Sequence, residues 1–202
     1  PLRLVGSEMC IRDRPARYQR SEGSNADDLA FRFSSVVDEW DLAGSLFYGT
    51  ARNPILSVVD VGTALEPYYP KQQSLGLEAQ YTGDATLLKW ESLHGQQDEK
   101  SLFAAVAGLE YTLYGLLDQV WDLAMLAEAQ HDERPQAAAK RIYVAGLRLT
   151  LNDSKDTSLL LLTSKDEDWD QSLISFEASR RINSWSSIEL GAKFFDAQTP
   201  AS

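Results

Sequence analysis

The chain has 202 residues, 44% of them hydrophobic, and carries 30 acidic against 19 basic side chains for a formal charge of −11. That balance argues against a nucleic-acid binder, which carries a basic stripe, and a single cysteine, Cys10, leaves neither disulfide staples nor thiolate metal sites. No run approaches the roughly 18 apolar residues of a membrane-spanning helix, so the hydrophobic residues must be laid out in another pattern.

At the start, Ser7-Glu8-Met9-Cys10-Ile11-Arg12-Asp13-Arg14 resembles the translation of a transposon-end adapter used in sequencing libraries. Residues 1–14 are therefore expected to be an artefactual leader rather than part of the fold, the alternative being a short basic arm. Residues 15–27 are expected to be disordered or a linker.

From residue 28 the pattern changes to a period of two, in segments of about ten residues. Successive side chains of a strand point to opposite faces, so each segment has an apolar and a mixed face. Leu29, Phe31 and Phe33 oppose Ala30, Arg32 and Ser34; Trp40, Leu42, Leu46 and Tyr48 oppose Asp41, Ala43 and Ser45. Leu75, Leu77, Ala79 and Tyr81 oppose Ser74, Gly76, Glu78 and Gln80, and Leu88 with Trp90 opposes Lys89 and Glu91. Phe103, Ala105, Ala107, Leu109 and Tyr111 face away from Gly108 and Glu110; Trp121, Leu123, Met125, Ala127 and Ala129 face away from Asp122, Ala124 and Glu128. Tyr143 to Leu151 alternates against Gly146, Arg148 and Thr150. The segment around Thr157 to Thr163 is apolar on both faces and does not declare an orientation. Ile174, Phe176 and Ala178 then oppose Ser175, Glu177 and Ser179, and Ile188, Leu190, Ala192 and Phe194 oppose Glu189, Gly191 and Lys193. The expected fold is all-β: an antiparallel up-and-down transmembrane β-barrel with about ten strands over residues 28–196. A helical reading competes at Leu102–Gly108 and Leu116–Ala129, where Ala and Leu are frequent, but Tyr111, Thr112, Tyr114, Val120 and Trp121 favour strand.

Two features favour a membrane barrel. Short connections near Val37-Asp38-Glu39, Thr82-Gly83-Asp84, 152–156, Ile182-Asn183-Ser184 and, less tidily, 115–119 alternate with longer ones at 50–73, 94–100, 131–140 and 164–170, as expected of periplasmic turns and extracellular loops. Aromatic residues also gather near the ends of the apolar faces, where two girdles at the lipid–water boundary are expected. A soluble barrel or sandwich, with its apolar face inward, is the alternative.

The segments Val106-Ala107-Gly108-Leu109-Glu110-Tyr111-Thr112, Ala145 to Asp153 and Phe176-Glu177-Ala178-Ser179-Arg180-Arg181 resemble the C-terminal part of porin-like outer-membrane proteins of Gram-negative bacteria. The resemblance covers most of Ala30 to Phe195. It implies residence in the bacterial outer membrane among lipid and lipopolysaccharide and is silent on ligand; no nucleic-acid partner is expected from the acidic charge, and no cofactor from the absence of a phosphate loop or dinucleotide fingerprint. Such barrels usually end on a closing strand with a terminal aromatic residue, whereas Phe194-Phe195 is followed here by more chain. Residues 197–202 are accordingly expected to be a truncated tail leading to further strands.

The inferred lumen carries Glu78, Glu91, Glu110, Asp122, Glu128, Glu177 and Glu189 with Arg32, Lys89, Arg148 and Lys193. These charges either line an aqueous path that favours cations or pair with one another to fill a narrow barrel. His94 and His131, the only histidines, fall in expected loops, and His131-Asp132-Glu133 lacks a nucleophile with a matching partner. Asp166-Glu167-Asp168 with Asp170 reads as a solvated charge run, because it lacks the spaced ligands and Gly of a calcium loop. No catalytic set, metal site or phosphate loop is expected. The functions left open are passage of small solutes through a pore, a plugged barrel with a structural or surface role, and a soluble β-protein.

Overall fold

The computed structural model describes residues 15–59, 64–134, 137 and 139–197. In chain order the strands begin with β1 (Arg17–Tyr18), β2 (Leu29–Val37), β3 (Trp40–Thr50), β4 (Ile55–Val59) and β5 (Ala64–Tyr69). Then follow β6 (Lys71–Thr82), β7 (Thr86–Gln97), β8 (Lys100–Leu113) and β9 (Asp122–Asp132). β10 (Arg141–Thr150), β11 (Ser158–Asp166), β12 (Gln171–Asn183) and β13 (Ser186–Ala197) complete the set. Ten of them form one antiparallel sheet in the order β2-β3-β6-β7-β8-β9-β10-β11-β12-β13, an up-and-down meander. The sheet is not closed: β2 and β13 are its two edges. The remaining three strands form a small sheet, β1-β5-β4, in which β4 and β5 prolong the β3–β6 hairpin. Segment 15–27, expected as linker, thus contains β1 and a 3-10 turn at Gly23–Asn25, and the expected loop at 50–73 contains two strands.

The two stretches open to a helical reading are β8 and β9. Their only helical piece is the single turn Leu116–Asp118 in the connection between them. Alternation decided the matter: a helix would have placed Glu110 and Glu128 on the same stripes as their apolar neighbours, whereas a strand separates them.

Register ties the strands' faces together. The row of paired residues through Trp40 runs Tyr81, Leu88, Leu109, Ala127, Ala145, Thr163, Ile174 and Phe194. All nine orientations readable from sequence therefore agree on one face. Pairing of Leu149 with Leu159 and of Leu147 with Leu161 puts those two leucines on the same face, leaving Leu160 and Leu162 on the other. Neighbouring strands supplied the orientation that the sequence of β11 lacked.

The same row also measures the tilt. It leaves β3 at that strand's first residue and reaches β13 at Phe194, eight residues beyond the first residue Ser186, after eight strand-to-strand steps. One residue of stagger per strand, at about 3.35 Å along and about 4.8 Å across, corresponds to a tilt of about 35°. That stands at the lower edge of the 35–45° range of β-barrels.

Exposure alternates along the strands in the sense opposite to that of a soluble sheet. On the apolar face Phe31, Phe33, Leu46, Leu147, Leu161 and Phe194 are 46–66% exposed. On the other face of β9, Ala124 is buried and Leu126, Glu128 and Gln130 are half-buried, while Met125, Ala127 and Ala129 of the apolar face are exposed. β10 repeats this, with Ile142, Val144 and Gly146 more covered than Tyr143, Ala145 and Leu147. Side chains crowd on the inside of a curved sheet and splay on its outside, so the mixed face is the concave one. Buried apolar side chains are few among the described residues: Ala51, Leu102, Ala124 and the prolines Pro67 and Pro70.

Loop lengths correct one expectation. The end bearing β4 and β5, the insert end, has connections 51–70, 98–99, 133–140 and 167–170; the far end has 38–39, 83–85, 114–121, 151–157 and 184–185. Both ends mix tight turns with longer segments, so the short–long alternation does not hold. The expected long loop 94–100 is the two-residue turn Asp98–Glu99, both at positive φ (53° and 63°). Such φ values match the right-handed twist of a hairpin, which explains how two non-glycine residues serve there. His94 and His131, expected in loops, lie inside β7 and β9.

Candidate functional site

The concave face is where the chain collects its strand-borne charge. All eleven residues named for the lumen lie on it by register. Asp41, opposite Gln80, belongs with them although its position on β3 did not single it out.

Two ion pairs cross the face by stepping over an intervening strand. Arg32 on β2 reaches Glu78 on β6 with both terminal nitrogens, Nη2 to Oε2 at 2.7 Å. Arg148 on β10 donates from Nη2 to Oε1 of Glu110 on β8. Small residues make room for these reaches: Ser45 stands opposite Arg32 on β3, and Ala124 opposite Arg148 on β9. Arg32 also relieves the direct pairing of Glu78 with Glu91, an unfavourable juxtaposition of like charges. Half-exposed pairs of this kind add little to stability, so their importance is in the charge pattern.

The other predicted residues fall into three situations. Lys89, Gly108 and Glu128 share one row, and the Glu128 carboxylate oxygen lies 3.9 Å from where a Cβ on Gly108 would stand, with Lys89 Cβ at 3.8 Å. Glu128 also accepts a hydrogen bond from Gln130 Nε2. Glu177, Glu189 and Lys193 gather near the β13 edge around Gly191, which faces Glu177. Glu177 and Glu189 line a depression of about 570 Å³ with Arg148, Ser158 and Leu160. Asp122, the first residue of β9, is taken up by the far-end connections: it accepts from Gly115 N at 3.3 Å and Asn152 Nδ2 at 2.7 Å. It ties two turns together at the far end of the concave face.

An apolar patch interrupts the polar face. Leu126 and Leu162 close over Gly146, their methyl carbons 2.1 and 2.4 Å from the place a Cβ would occupy, and Leu160 pairs between Arg148 and Glu177. A large side chain at Gly146 would displace them. Sequence alone left this patch undetected because its residues come from three strands.

On the convex face most aromatic residues stand at two levels, with Phe33, Trp90 and Phe176 between them. Trp40 and Tyr81, with ring centroids 5.2 Å apart, and Tyr111 mark the far end; Tyr48, Phe103, Tyr143 and Phe194 mark the insert end. His94 and His131 flank Phe103 at 4.8 and 5.7 Å and belong to this level. Trp40 to Tyr48 and Phe103 to Tyr111 are both eight-residue intervals, roughly 27 Å along a strand and about 22 Å after a 35° tilt. An outer-membrane barrel shows an apolar band about 25 Å tall between its girdles.

The acidic loop residues act on the backbone. Asp166 Oδ1 accepts the N–H groups of Asp168 and Trp169, and Asp168 Oδ2 those of Lys140 and Arg141, joining two insert-end connections. Desolvation opposes ionisation of Asp168, but those N–H groups and the Arg141 charge prevail and hold its carboxyl below the ordinary value. In His131-Asp132-Glu133, Arg134 engages Asp132, and His131 Nε2 contacts Glu133 Oε1 at 3.1 Å. Among the described residues no cluster of three His, Cys, Asp or Glu side chains is arranged to hold a metal ion. Compared with family models, curated proteins and solved structures, the chain matches none.

Proposed function

We propose that this sheet is part of the wall of a bacterial outer-membrane β-barrel and that its concave face lines a porin-like passage for small solutes. The inverted exposure carries the reading: large apolar side chains stand exposed on the convex face, while the alternate, concave-side positions of β9 and β10 are mostly the more covered ones. Water disfavours so large a contiguous apolar surface, whereas lipid covers it at no such cost. Strands of 9 to 14 residues, a tilt near 35° and two aromatic levels about 22 Å apart support the same reading. A soluble sandwich needs a second layer over the apolar face. Among the described residues the only other sheet is the three-stranded β1-β5-β4, continuous with one hairpin.

The second reading, a plugged barrel with a structural or surface role, is favoured by the Leu126–Gly146–Leu162 patch, which an aqueous lumen leaves wet and a plug would cover. Two measurements on the complete protein separate these readings. Heat-modifiable migration on detergent gels is expected for any membrane barrel, and a protein that stays monodisperse without detergent would refute the membrane assignment. Reconstitution into planar bilayers should then give discrete conductance steps; a folded, inserted protein without them is the plugged form.

A further inference from the structure

We infer that the passage favours small inorganic cations over anions, an inference that rests on the polar face being a water-filled wall. The bare excess of acids does not carry it, because much of that charge is paired. The pairing pattern does. Both strand-borne arginines of the predicted set are occupied, Arg32 by Glu78 and Arg148 by Glu110. An ion at some distance sees each pair as a neutral dipole. Glu91, Glu128, Glu177 and Glu189 remain, joined by Asp41, against Lys89 and Lys193, and among the described residues none of these seven is in an ion pair.

Position deepens the imbalance. Lys89 has Glu91 two residues along the same face of β7, and Glu128 lies in its own row one strand beyond Gly108. Lys193 stands diagonally across from Glu177, which faces Gly191. An anion drawn to either lysine therefore meets a carboxylate at the neighbouring position. Glu177 and Glu189, by contrast, border one open depression whose only cation, Arg148, is held by Glu110, so that a hydrated cation finds two like acceptors there. The chain as a whole is acidic, at −11, and low-dielectric walls focus the potential of the concave-face carboxylates into the passage.

The test is the reversal potential of the complete protein in a planar bilayer under a potassium chloride gradient. The expected sign is cation-selective, with potassium passing several-fold more readily than chloride. Replacing both Glu177→Gln and Glu189→Gln should bring the ratio toward one. Arg148→Gln should raise it, because it uncovers Glu110; a merely space-filling pair predicts no such increase. For the unaltered protein, lowering the pH through the carboxylate range should move the reversal potential toward zero, which requires no variant to fold. Conducting channels with unselective or chloride-selective reversal, or a ratio insensitive to pH, overturn the inference while leaving the pore standing. A folded, inserted protein without conductance overturns both.

Discussion

At the scale of single residues, Asp153 illustrates a carboxylate whose charge maintains a turn. The Thr157 N–H donates to it at 2.9 Å, the Thr157 hydroxyl does likewise, and Arg180 lies at 3.2 Å. The N–H bond first, then the hydroxyl and the Arg180 charge, hold the Asp153 carboxyl below its ordinary value despite some desolvation. A depressed folded pKa means that the contribution is fully present above the ordinary carboxylate value and is lost as pH falls through the lowered one. Amide protection across 151–157, relative to the intrinsic exchange rate at each pH, should therefore fall only at acid pH in the unaltered chain, and already at neutral pH in Asp153→Asn. Equal exchange in the two proteins at neutral pH would contradict this. Glycines give a second residue-scale contrast. A Cβ at Gly95 would stand 2.1 Å from the Gln73 carbonyl oxygen, which is backbone and cannot swing aside, whereas nothing lies within 4 Å of one at Gly191. Gly95→Ala should cost about 1–3 kcal/mol of folding stability and Gly191→Ala close to nothing, read from urea midpoints in lipid vesicles.

At the scale of elements, the Asp98–Glu99 turn and the faces of the strands give further expectations. Glu99 sits at φ 63°, a conformation that costs a side-chain-bearing residue roughly 1–2 kcal/mol relative to the right-handed region. Glu99→Gly should relieve part of that cost and raise the unfolding midpoint, while Asp98, which accepts from the Tyr68 hydroxyl at 2.9 Å, should be left in place. For the strands, Leu147 lies on the apolar face four residues from Tyr143, midway through the band. If lipid covers that face, Leu147→Arg should cost about 2–4 kcal/mol of folding into vesicles. An arginine at Ser158, on the concave face of neighbouring β11, should cost far less. Equal costs on the two faces would argue for a soluble protein.

For the whole molecule, the two edges state a condition on closure. β2 runs from the insert end to the far end and β13 runs back, so the edges are antiparallel to each other. Whatever pairs them in a bilayer, where unpaired edge groups are not tolerated, must add an even number of strands or none. Their apolar faces already agree: Leu29, Phe31 and Phe33 on one edge, Ile188, Leu190 and Phe194 on the other, all more than half exposed. The proposed conductance and selectivity belong to this scale as well, because the unpaired carboxylates that carry them come from five strands, β3, β7, β9, β12 and β13.

The sequence by itself determined the ten strands of the main sheet and the sidedness of nine, because a period of two is a local property that each segment displays alone; the short β1, β4 and β5 fell in stretches expected to be linker or loop. It determined the set of charged residues on one face for the same reason. It misjudged connections such as 94–100 and left β11 without an orientation, because hairpin ends and a strand apolar on both sides are settled by partners, here Leu147 and Leu149 on β10. Tertiary structure alone decided the stagger of one residue per strand, the steps of Arg32 and Arg148 over a neighbouring strand, and the binding of Asp122 into the turns. It also decided which face is covered: alternation says that two faces differ, but only curvature, a property of many strands together, makes the charged one concave and the apolar one convex.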